Sequence, residues 1–417
     1  MEKKYQIDTA ENRAFLLENA KSLLAFGRRF PSPGGGAYFL GDKGEPWKDR
    51  NRETWITGRM THVYSIGAML GYPGSEELID AALHGFTDGE LHDTKNGGWY
   101  PGVTADGEIL PDKQCYAHAF VILAASSALL AGRPGAKELL KEAEETFLAK
   151  FWDDRQGLSV DTWNTEFTVL DPYRGLNANM HSVEAFLAAA DATGEEAWRV
   201  RAGRIIDQVL AFAEKNEWRI PEHYTEDWTP DLECNREKPD DPFKPYGATP
   251  GHGIEWARLI TQWALSTYRD EKDGAKPYVE AAEKLFIRAV EDAWNADGAP
   301  GIVYTTDWSG APVVHDRMHW TLAEGINTSA VLYHVTGKAR YAELYSTFMS
   351  YLDSCVLDHE NGSWFHQLDR DNQVMNTVWP GKCDLYHAFQ AMLIPLTRHD
   401  LSIAPAVAES GISFREA

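Results

Sequence analysis

Apolar segments of helical length recur along the whole chain at nearly even intervals, and this repeat restricts the fold more than any other feature of the sequence. Most of the segments end at a glycine suited to the left-handed position after a helix, and successive glycines are 61, 62, 80 and 63 residues apart. The segments lie near residues 55–70, 117–131, 181–193, 253–267, 320–335 and 385–397, and the glycines are Gly71, Gly132, Gly194, Gly274 and Gly337.

A second, amphipathic helix follows each apolar one, as in residues 135–152 and 337–355, and a helix at 11–30 completes the set. A helix that is apolar all round is expected in an inner layer, whereas a helix with one polar face is expected in an outer layer. The sequence therefore predicts an all-α fold, an (α/α)6 barrel of about twelve helices in six pairs. A two-domain helical array is the alternative. The even repeat, with no Pro/Ser-rich linker, favours a single domain over residues 1–417.

Three segments between the helices resemble one another and predict short β-hairpins. DTKNGGWYPGVTADGEI (93–109) is similar to DHENGSWFHQLDRDNQV (358–374), and APGIVYTTDWSGAPVV (299–314) is a looser third copy. Each combines alternating apolar residues with a turn that contains Asp-Gly, Asp-Asn or Ser-Gly. We expect these hairpins to link an outer helix to the next inner helix, in the loops at the end of the barrel that carries the active site.

Charge and composition argue against several classes of function. The formal net charge of −23 disfavours nucleic acid as a partner, because such binding needs clustered cations. No run of 18 apolar residues is present, and the charged start MEKKYQIDTAENR lacks a signal segment, so we expect neither a membrane span nor secretion. The cysteines lack metal-site spacing and fit the reducing cytoplasm. They are Cys115, Cys234, Cys355 and Cys383.

The stretch ATPGHGIEWARL (248–259) places a titratable pair at the start of an otherwise apolar helix. Thr249 suits the N-cap, and Pro250 suits the first helical position because its missing N–H would be unpaired there. His252 and Glu255 are three residues apart and share one helix face, so Glu255 could orient the imidazole. The positive end of the helix dipole favours the neutral imidazole, which can act as a base.

Six of the fourteen histidines follow the helical repeat, with spacings of 56, 63, 71, 67 and 68 residues. They are His62, His118, His181, His252, His319 and His387. Each lies at or near the start of an inner helix, so we expect all six at one end of the barrel. Further polar and aromatic residues are expected to line the same site. They are Arg59, Tyr116, Asn177, Asn179, Glu324, Asp384, Trp55, Trp308, Trp320 and Trp379.

A pocket of histidines, hydrogen-bonding groups and aromatic rings suits a sugar, because the C–H faces of a pyranose pack well on aromatic rings. Glycoside hydrolysis would need two carboxylates that flank a bond. A metal site would need three or more ligands in tight geometry, and the HExxH motif is absent. Proton transfer next to a carbonyl needs a base such as histidine and donors for the developing enediolate. The excess of histidines over paired acids favours proton transfer; a non-catalytic sugar-binding protein is the alternative outside the enzymes.

Seven segments resemble the N-acylglucosamine 2-epimerase superfamily, most closely its aldose–ketose isomerase branch of bacterial mannose and sulfoquinovose isomerases. They are ETWITGRMTHVYS, NGGWY, RGLNANMHSVEAF, ATPGHGIEWARL, APGIVYTTDW, ENGSWF and WPGKCDLYH, in this order over nearly the full chain. The resemblance implies an (α/α)6 barrel, in agreement with the repeat. It also implies an enzyme without metal or cofactor that interconverts monosaccharides by proton transfer at C1 and C2.

The resemblance also implies roles for individual residues. His387 in CDLYH matches the histidine that moves the proton between C2 and C1 through a cis-enediol. His252 in PGHGIEW matches the histidine implicated in ring opening or as the opposing acid/base, and Glu255 matches its carboxylate partner. Arg59 matches the arginine that contacts substrate oxygens, and His181 matches the histidine of the third inner helix. The positions that match the pocket lining are Tyr116, Asn177, Trp55, Trp320, Trp379 and Asp384.

Departures from the branch bear on the substrate. The loop EKPDDPFKPYG (237–247) offers Lys238 and Lys244 among several acids, and no arginine stands between Arg236 and His252 to hold a sulfonate. His366 stands where sulfosugar-active relatives carry glutamine. We therefore favour a neutral hexose, converted from mannose to fructose, over sulfoquinovose. A 2-epimerase acting between mannose and glucose is the nearest alternative, and the sequence does not predict the oligomeric state.

Overall fold

The computed structural model describes residues 2–415 and consists mainly of helices. None of the helices in this range combines the length and apolar content that crossing a bilayer requires. The α-helices are α1 (Ala10–Gly27), α2 (Thr54–Met69), α3 (Ser75–Thr87), α4 (Cys115–Leu130), α5 (Ala136–Lys150), α6 (Leu176–Thr193), α7 (Glu196–Lys215), α8 (Pro250–Thr267), α9 (Lys272–Ala293), α10 (His319–Thr336), α11 (Ala339–Tyr351), α12 (Tyr386–Leu393) and α13 (Ile403–Ala408).

Six inner helices, α2, α4, α6, α8, α10 and α12, form a closed ring in which each packs against the next and α12 packs against α2. Each inner helix packs against an outer partner, and the first outer helix, α1, pairs with the last inner helix, α12. The inner helices are buried on nearly all sides, whereas the outer helices bury one face. The predicted (α/α)6 barrel of six helical pairs is therefore confirmed.

Most predicted helix ends are also confirmed, with one exception among the glycines. Gly71, Gly132, Gly194 and Gly337 have φ between 68° and 77°, as expected just after a helix. The prediction for Gly274 is wrong, because α8 ends at Thr267 and Gly274 lies inside α9. A Cβ at this position would lie 2.3 Å from a ring carbon of Tyr268, so Gly274 permits close packing rather than a helix end.

The C-terminal region also differs from the prediction. The last inner helix ends at Leu393 and continues only as a 3₁₀ turn (Ile394–Leu396), in which Pro395 lacks the N–H that an α-helix requires. A short thirteenth helix, α13, was not predicted. It packs against α2, α4, α6 and α12 and covers the end of the barrel opposite the heads of the inner helices.

Short strands lie at the rim where the inner helices begin. The strands are β1 (Phe39–Leu40), β2 (Pro46–Trp47), β3 (Arg52–Glu53), β4 (Gly102–Val103), β5 (Lys113–Gln114), β6 (Trp152–Asp153), β7 (Leu158–Ser159), β8 (Thr162–Trp163), β9 (Arg174–Gly175), β10 (His223–Tyr224), β11 (Thr305–Thr306), β12 (Pro312–Val314), β13 (Arg317–Met318) and β14 (Gln367–Leu368). Four of them, β3, β5, β9 and β13, run directly into α2, α4, α6 and α10. This continuity places the heads of these helices at one rim.

The three predicted hairpins form in different ways. Residues 299–314 contain an independent hairpin, in which β11 pairs with β12. Residues 93–109 and 358–374 each fold back through one bridge, but their main strands, β4 and β14, pair with β3 and β13 from earlier in the chain. A hairpin whose strands have only two residues has little stability alone, so pairing with a strand from elsewhere in the chain stabilises it.

Three buried ion pairs join the exit of an outer helix to the head of the next inner helix. In each pair, a cation just before an inner helix contacts an aspartate in the turn after the preceding outer helix. The pairs are Lys113 with Asp93 (2.8 Å), Arg317 with Asp297 (2.7 Å) and Lys382 with Asp358 (2.6 Å). All six side chains are at most 4% exposed, so each charge depends on its partner. We call these the rim ion pairs.

Removal of one rim carboxylate should destabilise the fold. Asp358→Asn would leave Lys382 buried without its counter-charge, and we expect the free energy of unfolding to fall by about 3 kcal/mol in urea. The matched control is Asp154→Asn, which breaks an exposed pair with Arg204 and should leave the unfolding midpoint unchanged. Equal effects of the two substitutions would contradict a structural role for the rim ion pairs.

The effect of Asp358→Asn should also depend on pH. Burial opposes ionisation of Asp358 most strongly of the single effects, but the hydrogen bonds from Lys382 and Asn361 and the charge of Lys382 together outweigh it and lower the pKa of Asp358 to about 2. Because the folded pKa lies below the usual value of about 3.9, this contribution is present above about pH 4 and is lost as the pH falls toward 2. The difference in unfolding free energy between wild type and Asp358→Asn should shrink across that range; a constant difference would contradict the assignment.

Candidate active site

A cavity lies at the rim where the inner helices begin, and all six inner helices or the segments leading into them contribute to it. It is lined by Arg59, Tyr116, Asn177, His181, Pro242, Phe243, Pro245, His252, Glu255, Tyr304, His319, Trp320, Trp379, Cys383, Asp384 and His387. Ten of the thirteen residues predicted to catalyse or bind substrate are in this set. The exceptions are Trp55, Trp308 and Glu324.

Three of the lining histidines have a carboxylate beside ring nitrogen Nδ1. The distances from Nδ1 to the nearest carboxylate oxygen are 3.4 Å for His181 with Glu184, 3.0 Å for His252 with Glu222 and 3.1 Å for His387 with Glu324. For His181 and His387 this contact is a hydrogen bond and favours the tautomer that carries hydrogen on Nδ1, which leaves Nε2 as an unprotonated base. Nδ1 of His252 is close to Glu222 but has no hydrogen-bond partner among the described residues.

The carboxylate beside His252 differs from the prediction. Glu255 shares a helix face with His252, but the oxygen near Nδ1 belongs to Glu222, which lies after α7 and just before β10. Glu255 points toward Arg258 instead, with its Oε1 3.5 Å from Nη2. Sequence spacing gave no sign of Glu222, because its approach to His252 depends on how two segments 30 positions apart pack together.

Thr249 and Pro250 only partly follow the prediction. Pro250 does occupy the first turn of α8, and Thr249 is the N-cap residue. The Thr249 side chain, however, makes no capping hydrogen bond. The carbonyl of Thr249 accepts from the backbone N–H of His252 at 2.9 Å, so the first turn is held by backbone bonding.

One guanidinium lies beneath the cavity among several carboxylates. Arg258 is 3% exposed, and its Nε donates to Oε2 of Glu324 at 2.7 Å. Burial opposes ionisation of Glu324, but the charge of Arg258 and the hydrogen bond from His387 lower the pKa of Glu324. Burial and the nearby charge of Glu324 raise the pKa of Glu255 well above its usual range. Glu324 is thus the more acidic of the two and bonds to His387, whereas Glu255 in the cavity wall holds its proton more tightly.

Glu324 was predicted to bind substrate, and its position corrects that role. Its side chain lies behind His387 and contacts Arg258, outside the cavity lining. Burial lowers the pKa of His387, although the hydrogen bond to Glu324 acts in the opposite direction. The imidazole of His387 is therefore neutral near pH 7 and available as a base.

Arg59 is held on the opposite side of the cavity by hydrogen bonds and aromatic faces. Its guanidinium donates to Asp384 at 3.2 Å and to the hydroxyl of Tyr116 at 3.1 Å. It also lies 4.7 Å from the ring centroids of Phe120 and Tyr386, a distance typical of cation–π contacts. These contacts leave the guanidinium fixed at the cavity wall, where it can donate to ligand oxygens.

His319 forms a stacked pair with His366, a residue that does not itself line the cavity. The ring centroids are 3.7 Å apart with an interplanar angle of 11°. Burial lowers the pKa of His319 well below its usual range and that of His366 to about 4. Both rings are therefore neutral, and Nε2 of His319 has no hydrogen-bond partner within the described residues.

Aromatic rings and one loop close the cavity. Trp320 lies between two histidines, with ring centroids 5.1 Å from His252 and 5.9 Å from His387. Phe243 belongs to the loop 237–247, and its ring centroid lies 5.6 Å from that of Trp379. The Phe243 ring covers the mouth of the cavity. Neither this loop position nor the contribution of Tyr304 was predicted.

Two predicted tryptophans lie outside the cavity. Trp55 packs behind Arg59, with 4.8 Å from the guanidinium carbon to the ring centroid, and faces an adjoining cavity. Trp308 lies in the turn between β11 and β12, where its indole N–H donates to the carbonyl of Leu232 at 2.9 Å. Their indole rings therefore contact the surrounding protein rather than the cavity.

Two of the six repeat histidines lie outside the cavity, although His118, in the first turn of α4, is at the predicted end of the barrel and only His62 departs from that end. His118 is held by the carbonyl of Gln114 and by the backbone N–H of Trp99, away from the barrel axis. His62 lies in the middle of α2, deeper in the barrel, where Nδ1 is 2.7 Å from Ser127 Oγ. Asn179 likewise bonds only to backbone groups of Ser159 and Gly175.

Two groups of side chains in the site could hold a cation. One comprises His181, Glu184 and Glu255, and the other comprises Glu255, Glu324 and His387; within each, the ligand atoms lie within 4.8 Å of one another. The guanidinium of Arg258 contacts Glu324 and lies 3.5 Å from Glu255, so a fixed positive charge already lies beside the ionised carboxylate of Glu324.

Comparison with known proteins identifies close relatives. A family model described as N-acylglucosamine 2-epimerase (GlcNAc 2-epimerase) matches residues 35–391. The D-mannose isomerase of Pseudomonas cannabina pv. alisalensis is 41% identical over 373 residues, which cover 89% of this chain and 88% of that protein. The D-mannose isomerase of Thermobifida fusca is 40% identical over 405 residues, which cover 96% and 98%.

Solved structures share the barrel. A crystal structure of D-mannose isomerase superposes with a TM-score of 0.84 at 26% identity, covering 92% of this chain and 97% of that one. The cellobiose 2-epimerase from Spirochaeta thermophila DSM 6192 superposes with a TM-score of 0.78 at 20% identity, covering 92% and 96%, which is a likeness of fold.

The charge state of His181 provides a direct test of the site geometry. Burial lowers the pKa of His181 to about 4, and its hydrogen bond to Glu184 limits that decrease. NMR titration of the ring should therefore give a midpoint near pH 4, and Glu184→Gln should move it lower. Glu77→Gln, on an exposed face of α3, is the control and should leave the midpoint in place. A midpoint near 6.5 would contradict the burial of this imidazole.

Proposed function

The chain belongs to the N-acylglucosamine 2-epimerase family, and we propose that it is an aldose–ketose isomerase that interconverts D-mannose and D-fructose in the cavity described above. The observation that carries this proposal is the pairing of His387 with the ionised Glu324, which leaves a neutral imidazole nitrogen available as a base. The two curated relatives at 40–41% identity are D-mannose isomerases, and this supports the choice of substrate.

Isomerisation through a cis-enediol requires a base that can remove a proton from C2 and return a proton to C1. In this proposal Nε2 of His387 removes the proton from C2 of the open-chain aldose, while O1 gains a proton and the enediol forms. The hydroxyl at C2 then loses its proton, and His387 returns a proton to C1 to give the ketose. The C2–H and O2–H bonds break while the C1–H and O1–H bonds form, so no net proton is gained or lost.

The remaining polar residues act on the sugar oxygens. The neutral carboxyl of Glu255 can donate a proton to O1 as the enediol forms, and Arg59 can stabilise developing negative charge. His252 takes the proton of the anomeric hydroxyl during ring opening, while its contact with Glu222 orients the imidazole. His181, paired with Glu184, is placed to exchange protons with the hydroxyl at C2. Trp320 supplies an apolar face for the ring.

The proposed chemistry needs neither metal nor cofactor. A metal ion would stabilise the enediolate oxygens as a Lewis acid. In this cavity Arg59 can do so by hydrogen bonding, and Arg258 supplies the positive charge between Glu255 and Glu324. A divalent ion in that position would have to displace or repel the guanidinium of Arg258.

Charge in the cavity supports a neutral hexose over an anionic sugar. Among the described lining residues, Arg59 is the only lysine or arginine, and Asp384 neutralises it at 3.2 Å. Lys244, a candidate for binding a sulfonate, instead lies 3.7 Å from the ring centroid of Tyr173 and lines the adjoining cavity. A sulfonate in the catalytic cavity would lack a free counter-charge.

A mannose/glucose 2-epimerase is the second candidate. It requires acid/base groups on both faces of C2, and the placement of Trp320 between His252 and His387 favours it, since a sugar held near this ring would have an imidazole toward each side. The relatives that are D-mannose isomerases make isomerisation the first choice.

We also propose that the whole chain is one catalytic domain, because α1 and α12 from its two ends form one helical pair. The four cysteines form no disulfide in the described structure, and this supports action in the cytoplasm. The expected partner is a monosaccharide rather than nucleic acid or membrane, given the net charge of −23.

The reaction can be followed by NMR with D-mannose in heavy water and excess EDTA. The wild type should form fructose, and His387→Gln should lower turnover by at least about 10²-fold and stop deuterium exchange at C2, because it removes the base. His84→Gln, on the surface of α3, is the control and should behave as wild type. Glucose as the first product would favour the epimerase, and no conversion by the wild type would contradict both candidates.

Substitution of Glu222 tests whether the carboxylate that supports His252 is Glu222, as the structure places it, rather than Glu255, as the sequence predicted. Glu222→Gln should lower kcat by roughly tenfold or more with a smaller change in KM, because the imidazole of His252 loses the carboxylate beside Nδ1. Glu226→Gln, an exposed change four residues away, is the matched control and should leave both constants unchanged. Wild-type kcat in Glu222→Gln would show that His252 needs no carboxylate from this segment.

A further inference from the structure

A second cavity lies deeper in the barrel, between the catalytic cavity and the closed end formed by residues 397–404. We call it the lower chamber. Its wall includes polar side chains of five inner helices, although a barrel core is normally filled by apolar groups. They are His62 of α2, Ser126 of α4, Glu184 of α6, Arg258 of α8 and Gln390 of α12.

Five polar atoms of residues that line this cavity have no hydrogen-bond partner among the described residues. They are His62 Nε2, Ser126 Oγ, Arg258 Nη2, Gln390 Oε1 and Ser402 Oγ. Their residues are at most 6% exposed, so bulk water does not cover them. A buried polar group without a partner costs about 1–3 kcal/mol, and five around one cavity therefore indicate that polar molecules occupy it.

The unpaired donors and acceptors of the wall determine which hydrogen-bond donors and acceptors the occupant must provide. Ser127 Oγ donates its single hydrogen to the carbonyl of Leu123 at 2.9 Å, so its contact with His62 must use the hydrogen on Nδ1 of the histidine. Nε2 of His62 is then a bare acceptor, as is Oε1 of Gln390, whose Nε2 donates to Glu184 at 3.4 Å. Arg258 Nη2 offers only donors. The occupant must both donate and accept.

The free volume of the lower chamber is about 30 Å³. A water molecule needs roughly 10–15 Å³ measured in this way, so there is room for two or three waters. We propose that the lower chamber is a binding site for a cluster of ordered waters, and that this cluster connects the catalytic histidine His181 to solvent at the closed end of the barrel.

The connection to the catalytic cavity runs through Glu184. Its carboxylate lines the lower chamber, and Oε2 lies 3.4 Å from Nδ1 of His181, which lines the catalytic cavity. Once Nε2 of His181 has taken a proton from the substrate, the proton on Nδ1 can pass to the carboxylate and from there to water in the chamber, which leaves the imidazole neutral with its hydrogen on Nε2. Arg258 also lines the chamber, but guanidinium stays protonated, so it holds water without relaying protons. His181 can thus recover its protonation state while loop 237–247 covers the catalytic cavity.

The first test is a crystal structure of the wild type at a resolution that shows ordered water. We expect at least two waters in the lower chamber, bonded to His62 Nε2, Gln390 Oε1 and Arg258 Nη2. A dry chamber, or side chains that pair with one another across it, would overturn the water site. This test needs no substrate and no variant, so it is independent of the proposed isomerase activity.

The second test displaces the waters. Ser126→Val removes one polar atom and fills space, and Ser65→Val is the matched control because Ser65 is a fully buried serine of α2 outside the chamber. Exchange of the His181 Nδ1 hydrogen with solvent, measured by NMR on protein labelled with ¹⁵N-histidine, should slow at least tenfold in Ser126→Val only. Equal exchange in both variants would overturn the proton path.

Two further measurements distinguish a loss of stability from a loss of the proton path, and a failure of the proposed function from a failure of the water site. If Ser126→Val lowers Tm much more than Ser65→Val, Ser126→Ala removes the hydroxyl without adding bulk and should slow exchange to a smaller extent. Mannose conversion is measured in parallel on the wild type. Absence of conversion would contradict the proposed function on which the use of this path rests, whereas the water and exchange results stand on their own.

Discussion

The rim ion pairs are the constraint on which the active-site end of the barrel depends. Each connects the turn after an outer helix to the residue that leads into an inner helix, as Lys382 does by contacting Asp358. A buried ion pair adds little net stability compared with apolar packing, but the loss of one partner is costly. The pairs therefore specify geometry. They fix the heads of α4, α10 and α12 at one level, and the cavity is built from the first turns of such helices.

Two buried arginines, Arg59 and Arg258, set the charge distribution of the active site. Arg59 is paired with Asp384 on one wall, and Arg258 lies among Glu255 and Glu324 beneath the floor. Because Arg258 bonds directly to Glu324 but only approaches Glu255, one carboxylate ionises and the other stays neutral. Two glutamates with the same intrinsic chemistry thus provide an anion that orients a base and an acid that can donate a proton. The same guanidinium faces the lower chamber, so the catalytic cavity and the proposed water site share one set of charges.

Much of the site could be predicted from the sequence because the repeat places equivalent residues at equivalent heights. His181, His252 and His387 lie in the first two turns of α6, α8 and α12, and each lines the cavity. His62 and His118 follow the same spacing but do not line the cavity, because period alone does not say toward which side a side chain points or how deep in a helix it lies. Arg258 stood in the analysed motif, three residues after Glu255, and its charge in an otherwise mostly apolar helix was a usable sign that was not recognised. Glu222 had no such sign.

The sequence by itself determined the six helical pairs of the barrel and their order, their inner or outer position and the rim at which most of the repeat histidines would lie. These properties follow from local periodicity and helix-ending glycines, which do not depend on distant parts of the chain. Only the tertiary structure decided which carboxylate accompanies each imidazole, which glutamate ionises, and which tryptophans face the cavity. Such pairings join residues far apart in sequence, as when Glu324 meets His387, and their energies depend on distances of 3 to 4 Å that no local pattern encodes.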